Sequence, residues 1–255
     1  MSVRRMPEFS RDWAFFLDVD GTLLDYASHP SEVVVGDELL RLLERLRAAT
    51  GGAVALVSGR SVEDIDGLFA PLTLPAAGQH GTERRAADGR LRRAAAPLQS
   101  LGRAAAEIVR LTAAHEGLLF ENKGMTLALH YRRAPGLRAL VEGEMRTIAG
   151  RMDGAFELQT GKFVAEIKPS GRDKGSAIAE FAAEPPFAGR RPVFIGDDLT
   201  DEPGFETVNR IGGHSVKVGP GITNARWHLF DTASVRRWLA AYIEEFVPRA
   251  AGSPR

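Results

Sequence analysis

Short runs of wholly apolar residues alternate along this chain with stretches whose apolar residues recur every three or four positions. Residues 13–17 (WAFFL), 53–57 (AVALV) and 193–195 (VFI) read as strands buried on both faces, because a half-exposed strand would alternate apolar with polar. Residues 74–77 and 215–218 suggest two further strands. Leu39, Leu40, Leu43 and Leu46 form one helical stripe, which Gly51-Gly52 ends. Ser61, with Asp64 three residues on, has the spacing of a capping box and opens a short helix to 68. In the last third, a helix is predicted over 173–183 and a short one near Phe205. A final amphipathic helix carries Val235, Trp238, Leu239, Tyr242, Ile243 and Phe246.

The middle of the chain has a different rhythm. Asp88-Gly89 is a hairpin signal. Leu98, Leu101, Ala105, Ile108 and Leu111 make a helical stripe, and a second helix after Pro135 carries Leu137, Leu140, Val141, Met145 and Ile148. Strands are predicted at 118–120 and 125–130, and again at 156–159 and 163–168 with a turn at Thr160-Gly161. Two helices with paired neighbouring strands suggest a separate α+β layer. The fold expectation is therefore α/β: a Rossmann-like parallel sheet core from residues 1–83 and 169–255, interrupted by an α/β cap inserted at 84–168.

Composition narrows the function. The 255 residues carry 33 basic and 33 acidic side chains and no cysteine. Zero net charge argues against coating nucleic acid or an anionic membrane. The absence of cysteine excludes a disulfide scaffold, a thiolate zinc site and a Cys nucleophile. No run approaches 18 apolar residues, and the N-terminus lacks a signal-peptide pattern, so a cytoplasmic protein is expected; a monomer acting on a small molecule is the separate expectation for its assembly. The arginines at 84, 85, 90, 92 and 93 are most simply a solvated face, and the tail 248–255 is expected to fray. Neither HExxH, GxGxxG nor GxxxxGK[ST] occurs, which removes the corresponding metalloprotease, dinucleotide and P-loop readings.

Ligands of doubly wound sheets bind beyond the carboxyl ends of the strands. There the chain places Asp18-Val19-Asp20-Gly21-Thr22, Ser58-Gly59-Arg60 and Gly196-Asp197-Asp198-Leu199-Thr200-Asp201, with Asp173-Lys174-Gly175 opening a nearby helix. Asp18, Asp20, Asp197, Asp198 and Asp201 together cannot all stay ionised without a cation. A hard divalent ion with oxygen ligands answers this, and Mg²⁺ fits because it also accepts a phosphate oxygen. Lys174 adds a positive charge, and a dianionic phosphate fits beside the pair. Asp18 and Asp20, two apart on an extended strand end, can face one pocket, and Gly21 lets the backbone turn. One carboxylate can serve as nucleophile and the other as general acid and base. The Ser58 hydroxyl can hold a phosphoryl oxygen.

The ordered set DVDGT, VSGR, RDKG and GDDLTD resembles the four signatures of the haloacid dehalogenase-type phosphatases and spans nearly the whole chain. The resemblance implies that Asp18 becomes an aspartyl phosphate and that Asp20 is the acid and base. Mg²⁺ would be held by the Asp18 side chain, the Asp20 carbonyl and Asp197, with Asp198 and Asp201 ordering its waters or Lys174. Ser58 and Lys174 would bind the transferring group, alongside Gly21, Thr22, Gly59 and Arg60. A narrower resemblance, to the trehalose-6-phosphate phosphatases, rests on AGQHGTE (77–83), ENKG (121–124), LALHY (127–131), EIKP (166–169), GDDLTDE, VKVG and TNARWHL. It implies a phosphorylated disaccharide as substrate, with Glu121, Asn122, Lys123, Glu166 and Lys168 contacting sugar hydroxyls or phosphate. His80, beside Gly81, either hydrogen-bonds substrate or caps its loop. The bland alternative for Glu121, Lys123, Glu166 and Lys168 is cross-strand ion pairing on a solvated face. Another sugar phosphate, a phosphomutase, and a non-catalytic phosphosugar-binding regulator stay open at this point.

Overall fold

The computed structural model describes residues 6–26, 33–95 and 97–247. The tail 248–255 lies outside the described residues. The larger of two sheets contains β1 (Trp13–Leu17), β2 (Val54–Val57), β3 (Ala76–Gly78), β4 (Glu83–Arg85), β5 (Leu91–Arg93), β10 (Arg191–Gly196), β11 (His214–Val218) and β12 (Trp227–Leu229). Their order is β12-β11-β10-β1-β2-β3-β4-β5. Pairing is parallel from β12 to β3 and antiparallel from β3 to β5.

The apolar run of β1 follows from its central place. Trp13, Phe15 and Leu17 point to one side and join Leu39, Leu43 and Leu46 of α1 (Asp37–Ala49), Val62, Ile65 and Phe69 of α2 (Val62–Phe69), and Val235, Leu239, Tyr242 and Ile243 of α7 (Thr232–Phe246). Ala14 and Phe16 point to the other and meet Ile178 and Phe181 of α5 (Lys174–Ala182) and Phe205 and Val208 of α6 (Glu202–Arg210). Each such fully buried large side chain contributes about 1.5–3 kcal/mol, so both faces of the strand must be apolar. Trp13 stacks on Tyr242 at 5.6 Å between centroids and meets His214 edge-on at 5.0 Å.

The second sheet is antiparallel, with order β6-β7-β9-β8. It comprises β6 (Leu119–Asn122), β7 (Leu127–His130), β8 (Phe156–Gly161) and β9 (Val164–Pro169). One face buries Leu127, Leu129, Ala165 and Ile167 against α3 (Leu98–Ala114) and α4 (Arg138–Gly150). Glu166, between two of these residues, therefore points out of the opposite face, as the two-residue period of a strand requires.

Three details differ from the sequence expectation. The hairpin announced by Asp88-Gly89 extends the large sheet, so residues 84–93 continue the core layer and the second layer begins with α3. A turn signal is local and does not say which sheet receives the strands. In the β8–β9 hairpin, Thr160 and Gly161 still pair with Ala165 and Val164, and the turn falls at Lys162-Phe163, with Phe163 at φ 65°. The edge strand β12 carries no apolar run and left no pattern to read. Among the described residues no helix is long and apolar enough to cross a membrane.

Candidate active site

Asp18 directly follows β1 and is 4% exposed. Its backbone N–H donates to Ile195 O at 3.0 Å, tying the strand end to β10. Lys174, first residue of α5, donates from Nζ to Asp18 Oδ1 at 2.6 Å and to Asp201 Oδ1 at 2.7 Å. Asp173 caps that helix through a capping box with Ser176, which fixes where Lys174 emerges. Thr22 Oγ1 donates to Asp18 Oδ2 at 3.1 Å. Burial alone would strip the Lys174 charge, but the two carboxylates hold its pKa above the ordinary lysine range. Burial pushes the Asp18 carboxyl well up; Lys174 opposes this, and Asp201 and Asp197 add to it.

Asp18, Asp197 and Asp201 offer oxygens that all lie within 4.8 Å of one another. Their partners separate their parts. Asp201 is fully buried and fully engaged: besides Lys174, its Oδ2 accepts the backbone N–H groups of Asp197 at 2.8 Å and Asp198 at 2.9 Å. It holds the loop after β10. Asp197 Oδ2 accepts the Tyr26 hydroxyl at 3.0 Å, whereas Oδ1 is buried with no hydrogen-bond partner. Burial and Asp201 push the Asp197 carboxyl up to about 6. An unsatisfied buried carboxylate oxygen beside a second acidic side chain suits a hard cation. Gly21, at φ 84°, packs so closely that a methyl group there would overlap the Asp197 carboxylate. Lys217 Nζ donates to the carbonyls of Asp197 and Val218 and pins the same loop from β11.

Asp20 stands apart from that triad. Arg60 grips it with a fork, Nε to Oδ2 and Nη2 to Oδ1, both 2.7 Å. Burial lowers the Arg60 pKa, yet Asp20 more than reverses this, so the guanidinium stays charged. The Arg60 N–H donates to Ser58 Oγ at 3.2 Å, closing the turn after β2. Asp198 also faces away from the triad, accepting the Lys162 N–H at 2.9 Å from the β8–β9 turn.

The opposite wall is built around Glu166. Its carboxylate accepts Thr126 Oγ1 at 2.5 Å and Lys123 Nζ at 3.3 Å, and lies 3.1 Å from His80 Nε2. Burial would raise its pKa, but Lys123 and His80 carry it far below the usual carboxylate range. His80 comes from the larger sheet, in the turn Gln79–Gly81 after β3, where Gln79 and His80 both have positive φ (47° and 56°). Such backbone costs about 1–3 kcal/mol per residue. It is held by Gln79 N–H to Arg60 O and His80 N–H to Ser58 O. A methyl group at Gly59 would lie 2.6 Å from His80 Nε2. Lys123 also donates to Gly59 O at 2.9 Å, so the second layer touches the Ser58 turn directly. Glu121 pairs with His130 at 2.8 Å.

These groups enclose a cavity of about 640 Å³ between the two layers. Its walls bring together Asp18, Asp20, Ser58, Gly59, Arg60, His80, Glu121, Lys123, Glu166, Lys174, Asp197 and Asp198. They do not include Gly21, Thr22, Gly81, Asn122, Lys168 or Asp201. Lys168 is buried against Glu157 and the Arg172 carbonyl, and Asn122 accepts the Gly124 N–H at 2.9 Å in its own turn. The walls also hold Tyr26, Arg132 and Lys162, which the sequence reading passed over. Arg132 and Lys162 adjoin segments it did single out; Tyr26 carried no such signal.

A carboxylate with a buried lysine beneath it, a second carboxylate nearby, and an acidic loop at the carboxyl edge of a parallel sheet define the haloacid dehalogenase class of phosphatases. A *Bacteroides thetaiotaomicron* phosphatase of that superfamily has the same fold, with a TM-score of 0.60 at 15% identity over 93% of this chain and 98% of that one. The C-terminal domain of *Candida albicans* trehalose-6-phosphate phosphatase superposes with a TM-score of 0.83 at 24% identity over 92% of both chains. In sequence, the trehalose-phosphatase family profile matches residues 16–229. The *Escherichia coli* trehalose-6-phosphate phosphatase is 46% identical over 236 residues, 91% of this chain and 87% of that protein. The chain belongs to the trehalose-phosphatase family and is a phosphoric monoester hydrolase.

Proposed function

We propose that this chain hydrolyses trehalose 6-phosphate to trehalose and inorganic phosphate through a phosphoryl group carried on Asp18. The observation that supports this most is the buried Asp18–Lys174 pair on the floor of a cavity whose far wall is the charged Glu166, Lys123 and His80 set. An oxygen of the Asp18 carboxylate attacks phosphorus as the ester P–O bond breaks, and the sugar oxygen takes a proton from Asp20. Water then attacks phosphorus as the P–O bond to Asp18 breaks, giving a proton to Asp20, and leaves inorganic phosphate and the free Asp18 carboxylate. Arg60 matches phosphoryl oxygens as well as it matches a carboxylate. Exchanging Asp20 for the phosphate frees Asp20 for proton transfer. Lys174 and Ser58 hold the transferring group.

Mg²⁺ fits the unsatisfied Asp197 Oδ1, and Asp18, the Asp20 carbonyl and Asp197 would hold it while Asp201 fixes the loop that carries Asp197. Bound there, it would neutralise charge on the phosphoryl oxygens. The four-stranded layer with α3 and α4 acts as a cap whose closure excludes water. Glu166, Lys123 and Glu121 offer hydrogen bonds to sugar hydroxyls, and a sugar lacking the matching hydroxyls leaves buried polar groups unpaired. A phosphorylated sugar does not cross a lipid bilayer unaided, so enzyme and substrate share a compartment, which we read as the cytoplasm; we read the enzyme as a monomer.

Phosphate release from a panel of sugar phosphates in Mg²⁺ tests the reading. Trehalose 6-phosphate should exceed glucose 6-phosphate by at least about tenfold in kcat/KM. Asp18→Asn should lose at least about 10³-fold in turnover while keeping its fold. Equal rates across the panel would leave the enzyme a phosphatase of some other sugar phosphate. Tight binding without turnover would make it a regulator.

A further inference from the structure

Tyr26 belongs to none of the sequence signatures, yet it touches both layers of the site. Its hydroxyl donates to Asp197 Oδ2 at 3.0 Å, leaving Oδ1 as the free oxygen of that carboxylate. Its ring receives two cations from the four-stranded layer. Arg132, just beyond β7, lies 5.1 Å from the ring centroid, and Lys162 Nζ, in the β8–β9 turn, lies 4.6 Å from it. The same turn is pinned a second time where the Lys162 N–H meets Asp198 Oδ2.

We propose that Tyr26 is a positioning residue that couples cation binding at Asp197 to docking of the cap: one side chain orients the carboxylate with its hydroxyl and seats Arg132 and Lys162 on its ring. This rests on the reading of the acidic triad as a divalent-cation site. Because the two contacts share one rigid group, fixing either favours the other, and the coupling is reciprocal. A bound cation that holds Asp197 still also holds the ring where the cap's cations meet it. A docked cap, in turn, keeps the hydroxyl aimed at Oδ2. A ring is suited to this because it joins a polar tip and a cation-binding face without flexible linkage between them.

The test uses the full chain with Mg²⁺ as the probe, in the wild type, Tyr26→Phe and Tyr26→Leu. Calorimetric titration reads cation affinity, and hydrogen exchange of residues 159–165 reads cap docking. Tyr26→Phe keeps the ring and should weaken Mg²⁺ binding about tenfold, the usual cost of losing a partner that orients a ligand. Tyr26→Leu should speed exchange at 159–165 and abolish the slowing that Mg²⁺ produces in the wild type; its melting temperature checks that it folds. Unchanged affinity in Tyr26→Phe, or Mg²⁺-induced protection that survives in Tyr26→Leu, overturns the coupling while leaving the cation site intact. A wild type that binds no Mg²⁺ overturns the cation site and the coupling with it.

Discussion

Lys174 and Asp18 meet 156 residues apart in sequence, with Nζ 2.6 Å from Oδ1 in a pocket from which water is nearly excluded. A preorganised positive charge in such surroundings is worth most when negative charge gathers near it. Lys174→Met should therefore lower turnover by about 10²–10³-fold. The substitution strands Asp201 as well as Asp18, and leaving buried carboxylates without their cation should cost about 3–5 kcal/mol of stability. Phosphate-release kinetics with thermal unfolding separate the two effects. Turnover within tenfold of wild type would remove Lys174 from the reaction.

In the proposed reading, Glu166 bears on the sugar and not on phosphorus. Glu166→Ala should raise KM for trehalose 6-phosphate at least about tenfold, while activity on p-nitrophenyl phosphate stays within about twofold. Parallel kinetics on the two substrates decide it. Equal losses on both would make Glu166 a general support of the site.

Gly21→Ala should damage the carboxylate that the structure leaves half-satisfied. Position 21 has φ 84°, and a methyl group would press on Asp197. Left-handed backbone costs an alanine about 1–2 kcal/mol, so the fold should survive with a lowered melting temperature. Mg²⁺ titration should show at least about tenfold weaker binding. Wild-type affinity in this variant would mean that Asp197 does not need its present position.

His214 predicts a pH dependence of stability unrelated to catalysis. It sits edge-on between the rings of Trp13 and Trp227, and burial, aided by Arg191 and Arg226, lowers its pKa from the ordinary 6.5 to about 4. The unfolded chain therefore binds more protons between pH 6.5 and 4, and stability falls as pH drops through that window. Partial exposure reduces the effect to on the order of 1–2 kcal/mol. His214→Phe should flatten the pH profile of denaturant midpoints from pH 6.5 down to 4. A variant that tracks the wild type would mean that His214 is charged in the folded state.

The parts legible in the sequence were those with a local or strictly ordered pattern. The run WAFFL announced a doubly buried strand because its alternate residues feed two apolar layers, and Ser61 announced its helix because capping is a short-range hydrogen-bond pattern. The four acidic and basic segments converge because each follows a strand or opens a helix at one sheet edge. The Arg60–Asp20 fork was hidden because nothing in either segment says which side chain will reach the other. Lys168 looked like a sugar contact by its company in EIKP, yet it is buried against Glu157 and the Arg172 carbonyl, outside the cavity. Tyr26 was invisible for a related reason: its partners come from segments distant in the chain, and a single tyrosine after a glycine turn has no periodicity to betray it.

The sheet order also has a consequence for synthesis. β1 is translated before the second layer, but one of the two strands that flank it is β10, which is translated only after the whole of that layer. Until then the nascent chain carries a wholly apolar strand with an open edge, a natural target for chaperones and for mispairing. Asp18 meanwhile waits without Lys174 or Asp201, so catalytic competence arrives only after α5 and the loop following β10 have been made.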